Sequence, residues 1–222
     1  MINTLDDYIR RSLPDYGDFH TNSNLAKKVA PDGSFLPYIG NTAVFRLDRS
    51  TQDKLRIIQD GLYEQAGGML AEKLDPSTFH MTLHDLANGT PGEDGLYARM
   101  MDSTRRAAEI ISRWKWKAPI QMESTWLFNM VNTSIVLGLR PANDASWQAL
   151  DEMYMELENV TELEYGLCPH ITMAYFLPGS YDRSQTEKLS NVLTKVDMRL
   201  TLYIEDLLIQ TFQDMNNYCS IK

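Results

Sequence analysis

The sequence predicts an α+β fold of two lobes, each giving one strand to a central cleft. Three observations predict it. The strings His80-Met81-Thr82-Leu83 and His170-Ile171-Thr172-Met173 repeat one pattern, His-apolar-Thr-apolar, and use two of the chain's four histidines. Each string lies in a strand-like run that follows a strand and a helix, once over residues 41–86 and again over 134–177. No low-complexity segment or long linker separates these halves, so the expected unit is a single bilobal domain over residues 1–222.

The elements follow in order. Residues 1–20 carry a helical pattern (Leu5, Tyr8, Ile9 and Leu13 before Pro14), and polar, turn-rich residues 21–40 read as a loop leading into the fold. Residues 41–47 are rich in apolar and branched side chains and read as a strand. Ser50 is a candidate cap for a helix over 51–65, where Leu55, Ile58 and Leu62 recur at helical spacing. Residues 78–86 form the first motif strand, and the cluster Asn88-Gly89-Thr90-Pro91-Gly92 breaks it. A helix over 95–114, strands over 120–130 and 134–140, and a helix over 145–157 come next. The second motif strand spans 168–177. A helix over 182–193, strands within 199–211 and a last strand near 216–221 complete the chain.

Bulk properties narrow the function. The chain has 222 residues, 43% hydrophobic and 23% charged, as folded globular proteins do. No apolar stretch is long enough to span a bilayer, and the start lacks a basic-then-apolar signal pattern. A cytoplasmic protein without membrane contact is expected. The net charge of −9 argues against binding long duplex nucleic acid, which needs a basic face. A small nucleotide or an RNA end fits that charge better. Cys168 and Cys219 lie far apart without metal-binding spacing, so free thiols are expected. No His/Cys/Asp/Glu cluster has ligand spacing, and neither a metal nor another cofactor is expected.

In an extended strand, side chains two apart share a face. His80 and Thr82 would stand side by side with Met81 and Leu83 turned to the core, and likewise His170 and Thr172. Two imidazoles and two hydroxyls around one space suit acid–base chemistry on a phosphate ester. Histidine titrates near neutrality, so one ring accepts a proton from water while the other protonates the departing oxygen. Threonine hydroxyls donate to the non-bridging phosphate oxygens. Which histidine plays which part stays open.

These residues resemble the two-histidine phosphoesterase superfamily, whose mark is a pair of His-apolar-Ser/Thr-apolar strings about 90 residues apart. The contexts PSTFHMTLHD and CPHITMAYF, with Pro37-Tyr38-Ile39-Gly40-Asn41-Thr42 before the first strand, are similar to an uncharacterised bacterial and fungal branch. The resemblance covers roughly residues 30–215. It implies a bilobal fold in which two antiparallel sheets with flanking helices surround a central cleft, with His80 and His170 as catalytic residues and Thr82 and Thr172 on the phosphate. It also implies cyclic phosphodiesterase activity on a nucleotide or oligonucleotide, with the 2′,3′-cyclic type favoured.

Four further residues are candidate substrate contacts. His84 follows the parity of Thr82, and Phe176 follows that of His170, where it could stack on a base. Tyr38 and Asn41 enter through the resemblance. Trp114 and Trp116 read as anchors of a helix end, while Trp126 and Phe128 would share one strand face, lining core or cleft. Two other functions compete with a monomeric cyclic phosphodiesterase. One is a nucleotide-binding module without turnover, and the other is an RNA-end-processing component of a larger assembly.

Overall fold

A computed structural model describes residues 9, 13, 14 and 18–221, and the helix expected at the N-terminus lies outside the described residues. A short strand β1 (Phe19–His20) precedes β2 (Ile39–Arg46), α1 (Arg49–Ala66) and β3 (His80–Gly89). Then come α2 (Leu96–Ile111), β4 (Ile120–Met130), β5 (Ser134–Pro141), α3 (Asp144–Glu158) and β6 (His170–Tyr175). The chain ends with β7 (Ser180–Tyr181), α4 (Arg183–Val192), β8 (Arg199–Leu202), β9 (Leu207–Asp214) and β10 (Asn217–Ser220).

Local chemistry sets the boundaries. Asp48, not Ser50, caps α1, because its carboxylate accepts from the Thr51 amide at 2.8 Å while Ser50 already lies in the first turn. Asn143 caps α3, and Asp182 with Gln185 forms a capping box on α4. Gly95 starts α2 at φ 73°, a left-handed position that favours glycine. The expected break at Asn88 comes later. Asn88 and Gly89 stay in β3 because Gly40 and Ile39 pair with them.

Two four-stranded antiparallel sheets form the body, in the orders β10-β9-β2-β3 and β6-β5-β4-β8. The strand-like run over 199–211 divides between them: β8 joins the second sheet, and β9 returns to the first. The two motif strands, β3 and β6, are each an edge strand of their sheet. Both contribute to one cleft, so two edges that would be exposed pairing templates instead face each other. Met81, Leu83, Ile171 and Met173 are buried, as the alternation requires.

The helices tie the lobes together crosswise. α1 follows β2 in the first sheet, yet buried Gln59 donates to the Met173 carbonyl of β6 at 3.0 Å and to Leu74 at 3.2 Å. α3 follows β5 in the second sheet, yet its Glu158 meets His84 of β3 at 2.9 Å. Each lobe's helix therefore holds the other lobe's motif strand. Among the described residues, no helix is long and apolar enough to cross a membrane.

Candidate active site

The cleft between β3 and β6 has a volume of about 200 Å³. His80, Thr82, His170 and Thr172 all line it, as the alternation of each string predicts. Beyond the threonines the alternation breaks. Val44 pairs with Thr82, but the next residue of β2, Ala43, pairs with His84, so Leu83 is the extra residue of a bulge. In β6, Val136 pairs with Thr172 and Ile135 with Ala174, so Met173 is extra. Both bulges fall at the same step after the histidine. Each moves the following side chains to the opposite face, which brings Asp85 and Tyr175 into the cleft.

The two histidines are held alike. His80 Nδ1 lies 2.7 Å from the Thr78 carbonyl, and His170 Nδ1 lies 2.7 Å from the Cys168 carbonyl. A carbonyl only accepts, so each neutral ring carries its proton on Nδ1 and keeps Nε2 as its proton-accepting atom. Burial pulls His80 down to about 4, the His170 charge adds to that fall, and the Thr78 bond and Asp85 oppose it. Burial also lowers His170, against the Cys168 bond and Asp85. The Tyr218 ring lies 5.0 Å from that of His80 and closes one side.

The rest of the lining is polar and donor-rich. Among the described residues, neither the Thr82 nor the Thr172 hydroxyl takes a protein partner. Lys28 brings an ammonium from the loop before β2, 4.9 Å above the Tyr38 ring. Burial lowers its pKa, and Asp85 opposes that. Asp85 accepts from the Tyr165 hydroxyl at 2.9 Å, with Thr42 Oγ1 at 3.4 Å from its other oxygen. Tyr175 donates to Met215 Sδ at 3.1 Å, and burial holds its hydroxyl protonated.

The further candidates divide. Tyr38 lies in the cleft, donating to Asn88 at 2.6 Å and stacked on Phe212. His84 does not share the face of Thr82. The bulge at Leu83 turns it inward, where its ring nitrogens meet the Asp85 carbonyl and Glu158. Phe176 is likewise turned away by the bulge at Met173 and packs edge-on against Phe19 at 5.1 Å. Asn41 is buried behind the sheet. Its amide nitrogen reaches Met100, Ser103 and Thr104 of α2, and its oxygen accepts from the Ala87 amide. Trp126 is exposed while Phe128 is buried, so they form no shared wall, because the pairing of β4 with β5 shifts between Ser124 and Leu127. Trp114 and Trp116 pack on the core. Burial raises the Cys168 thiol to about 12, which keeps it protonated.

Sequence reading missed Asp85, Tyr175, Lys28 and Tyr218. Asp85 adjoins His84, and only a bulge separates the two assignments. Lys28 and Tyr218 come from distant segments with no local signal.

No cluster of three or more His, Cys, Asp or Glu side chains suited to a metal ion occurs among the described residues. The sequence matches no family model and no curated protein. Its structure is similar to a conserved protein of unknown function from Agrobacterium tumefaciens, at 17% identity and TM-score 0.64, covering 99% of this chain and 98% of that one. It is also similar to Escherichia coli LigT complexed with 3′-AMP, at 9% identity and TM-score 0.53, over 83% of this chain and 96% of that one. LigT complexed with ATP gives 9% identity and TM-score 0.52, over 84% and 95%. A protein described as a phosphoesterase gives 9% and 0.52, over 84% and 97%. With its two motif strands facing one cleft, the chain has a LigT-like fold.

Proposed function

We propose that this protein is a phosphoesterase that hydrolyses a cyclic phosphodiester, the 2′,3′-cyclic phosphate of a nucleotide or short oligonucleotide. The observation that carries this reading is the matched pair of imidazoles. Each is fixed through Nδ1 to a backbone carbonyl, keeps Nε2 for proton exchange, and stands beside a threonine hydroxyl in one cleft.

In the forward step, Nε2 of a neutral histidine takes a proton from water as the water oxygen bonds to phosphorus. The other histidine, protonated on both nitrogens, gives its Nε2 proton to the ester oxygen as that P–O bond breaks. The products are a phosphate monoester and a free hydroxyl. Burial disfavours charge on both rings, and the His170 charge is among the forces lowering His80. One ring therefore carries the proton at a time and serves as acid, while the other, neutral, serves as base. An anionic phosphate between them favours that single protonation. Thr82 and Thr172 donate to its non-bridging oxygens, and the Lys28 ammonium offsets its charge.

The −9 net charge supports a small substrate over a polymer. The separate, free Cys168 and Cys219 support a reducing compartment such as the cytoplasm.

The test is a panel of 2′,3′-cyclic nucleotides, 3′,5′-cyclic nucleotides and cyclic oligonucleotides, incubated with the protein and a chelator. Turnover of the 2′,3′-cyclic members is expected, and His80→Ala and His170→Ala should each lower it at least about a hundredfold with the fold intact. Near-full activity in either variant overturns the mechanism. Saturable binding without turnover would make the protein a binding module, and retention of long RNA alone would make it a partner in RNA-end processing.

A further inference from the structure

A second chamber, of about 410 Å³, lies beside the cleft and shares Thr82, Asp85, Met130 and His170 with it. Its remaining walls are chiefly apolar, with Val131, Tyr154, Leu163, Tyr165 and Leu167 among them. It is a supported space. Glu158 accepts from the Leu163 amide at 3.3 Å while holding His84, and the Tyr154 hydroxyl donates to the Tyr165 carbonyl at 2.5 Å. The inward turn of His84 thus props this wall.

We infer that the chamber receives the base of the nucleotide whose cyclic phosphate lies between His80 and His170. This rests on the phosphodiesterase reading and adds the part of the substrate it recognises. Ligand pockets span roughly 300–1,000 Å³, a range the cleft alone falls short of and the joined cavities reach. No lysine or arginine lines the chamber, so it offers no countercharge to an anionic occupant. The half-exposed Tyr165 ring supplies a stacking face, and the leucines supply apolar contact. Asp85 decides between a base and an aliphatic group. Its carboxylate borders both cavities, and beyond the Tyr165 and Thr42 hydroxyls its oxygens keep lone pairs that can accept a further donor when water leaves. A phosphate brings none and a hydrocarbon brings none, whereas the amino group of adenine or cytosine does.

The test compares kcat/KM for 2′,3′-cyclic AMP with that for glycerol 1,2-cyclic phosphate, which has the cyclic ester but no base. Val131→Trp, at an exposed turn, narrows the chamber, and Leu163→Trp does so independently should the first fail to fold. The wild type is expected to prefer the nucleotide, and either variant to cut that preference about tenfold, through KM. An unchanged preference in both folded variants overturns the inference, as does a wild type that treats the two substrates alike. Calorimetry with adenosine, which lacks phosphate, separates the two readings. If neither ester is hydrolysed yet adenosine binds wild type and is weakened by Val131→Trp, the phosphodiesterase reading fails and the base site stands. If the esters are hydrolysed equally and adenosine does not bind, the base site fails and the phosphodiesterase stands.

Discussion

Asp85 and Tyr175 occupy matching places in the two halves of the cleft. Each stands five residues after its histidine, past a bulge, opposite a small hydroxyl residue: Thr42 pairs with Asp85, and Ser134 with Tyr175. The two halves thus share backbone and differ in charge. One presents a carboxylate to the histidines and the other a phenol. Asp85 favours the protonated form of both His80 and His170.

Asp85→Asn should therefore move the activity profile. Losing the anion lowers both histidines further, so less of the acid form survives at neutral pH. The maximum of kcat/KM, expected below pH 6.5 because both rings titrate below their ordinary value, should shift toward acid, and activity at pH 7 should fall. Tyr175→Phe removes no charge and should leave the position of the maximum in place. A pH–rate series on the two variants checks both. An acid shift in Tyr175→Phe, or none in Asp85→Asn, contradicts this assignment.

The depressed histidines also cost stability in acid. His80 titrates near 4 when folded and near 6.5 when unfolded, so the unfolded chain binds more protons between those values. Stability contributed by the neutral ring is full above about pH 6.5 and is lost as pH falls toward 4. Urea midpoints at pH 7 and pH 4.5 should differ less in His80→Asn than in the wild type. An equal difference would show that this ring is not the group titrating.

Lys28 reaches the cleft with an aromatic ring under it and no carboxylate within ion-pair distance among the described residues. Lys28→Met keeps the shape and removes the charge. Steady-state kinetics should show KM raised about tenfold, while the thermal midpoint holds or rises because a desolvated ammonium is gone. An unchanged KM would place the ammonium off the phosphate.

Asn41 acts on the fold. Its amide joins β2 to α2 and β3 from a fully buried position. Asn41→Ala leaves the Ala87 amide unpaired and should cost about 2–3 kcal/mol in denaturant unfolding. The pH dependence of kcat should stay as in the wild type, which separates a structural ligament from a substrate contact.

The sequence by itself determined the two-lobed α+β plan and the four central residues of the cleft. The reason is local. His80-Met81-Thr82-Leu83 and His170-Ile171-Thr172-Met173 obey strict alternation up to the threonine, so their facing follows from strand geometry alone. The helices are amphipathic and capped, and their limits lie near those read from spacing. Only the tertiary structure decided what stands next to them. The bulges at Leu83 and Met173 arise from pairing with β2 and β5, and no local residue announces them. They exchange His84 for Asp85 and Phe176 for Tyr175 on the cleft face. Lys28 and Tyr218 arrive by contacts between distant segments, which periodicity within a short window does not encode. The motif is a property of two short strings, whereas the charge around it is a property of the pairing between strands.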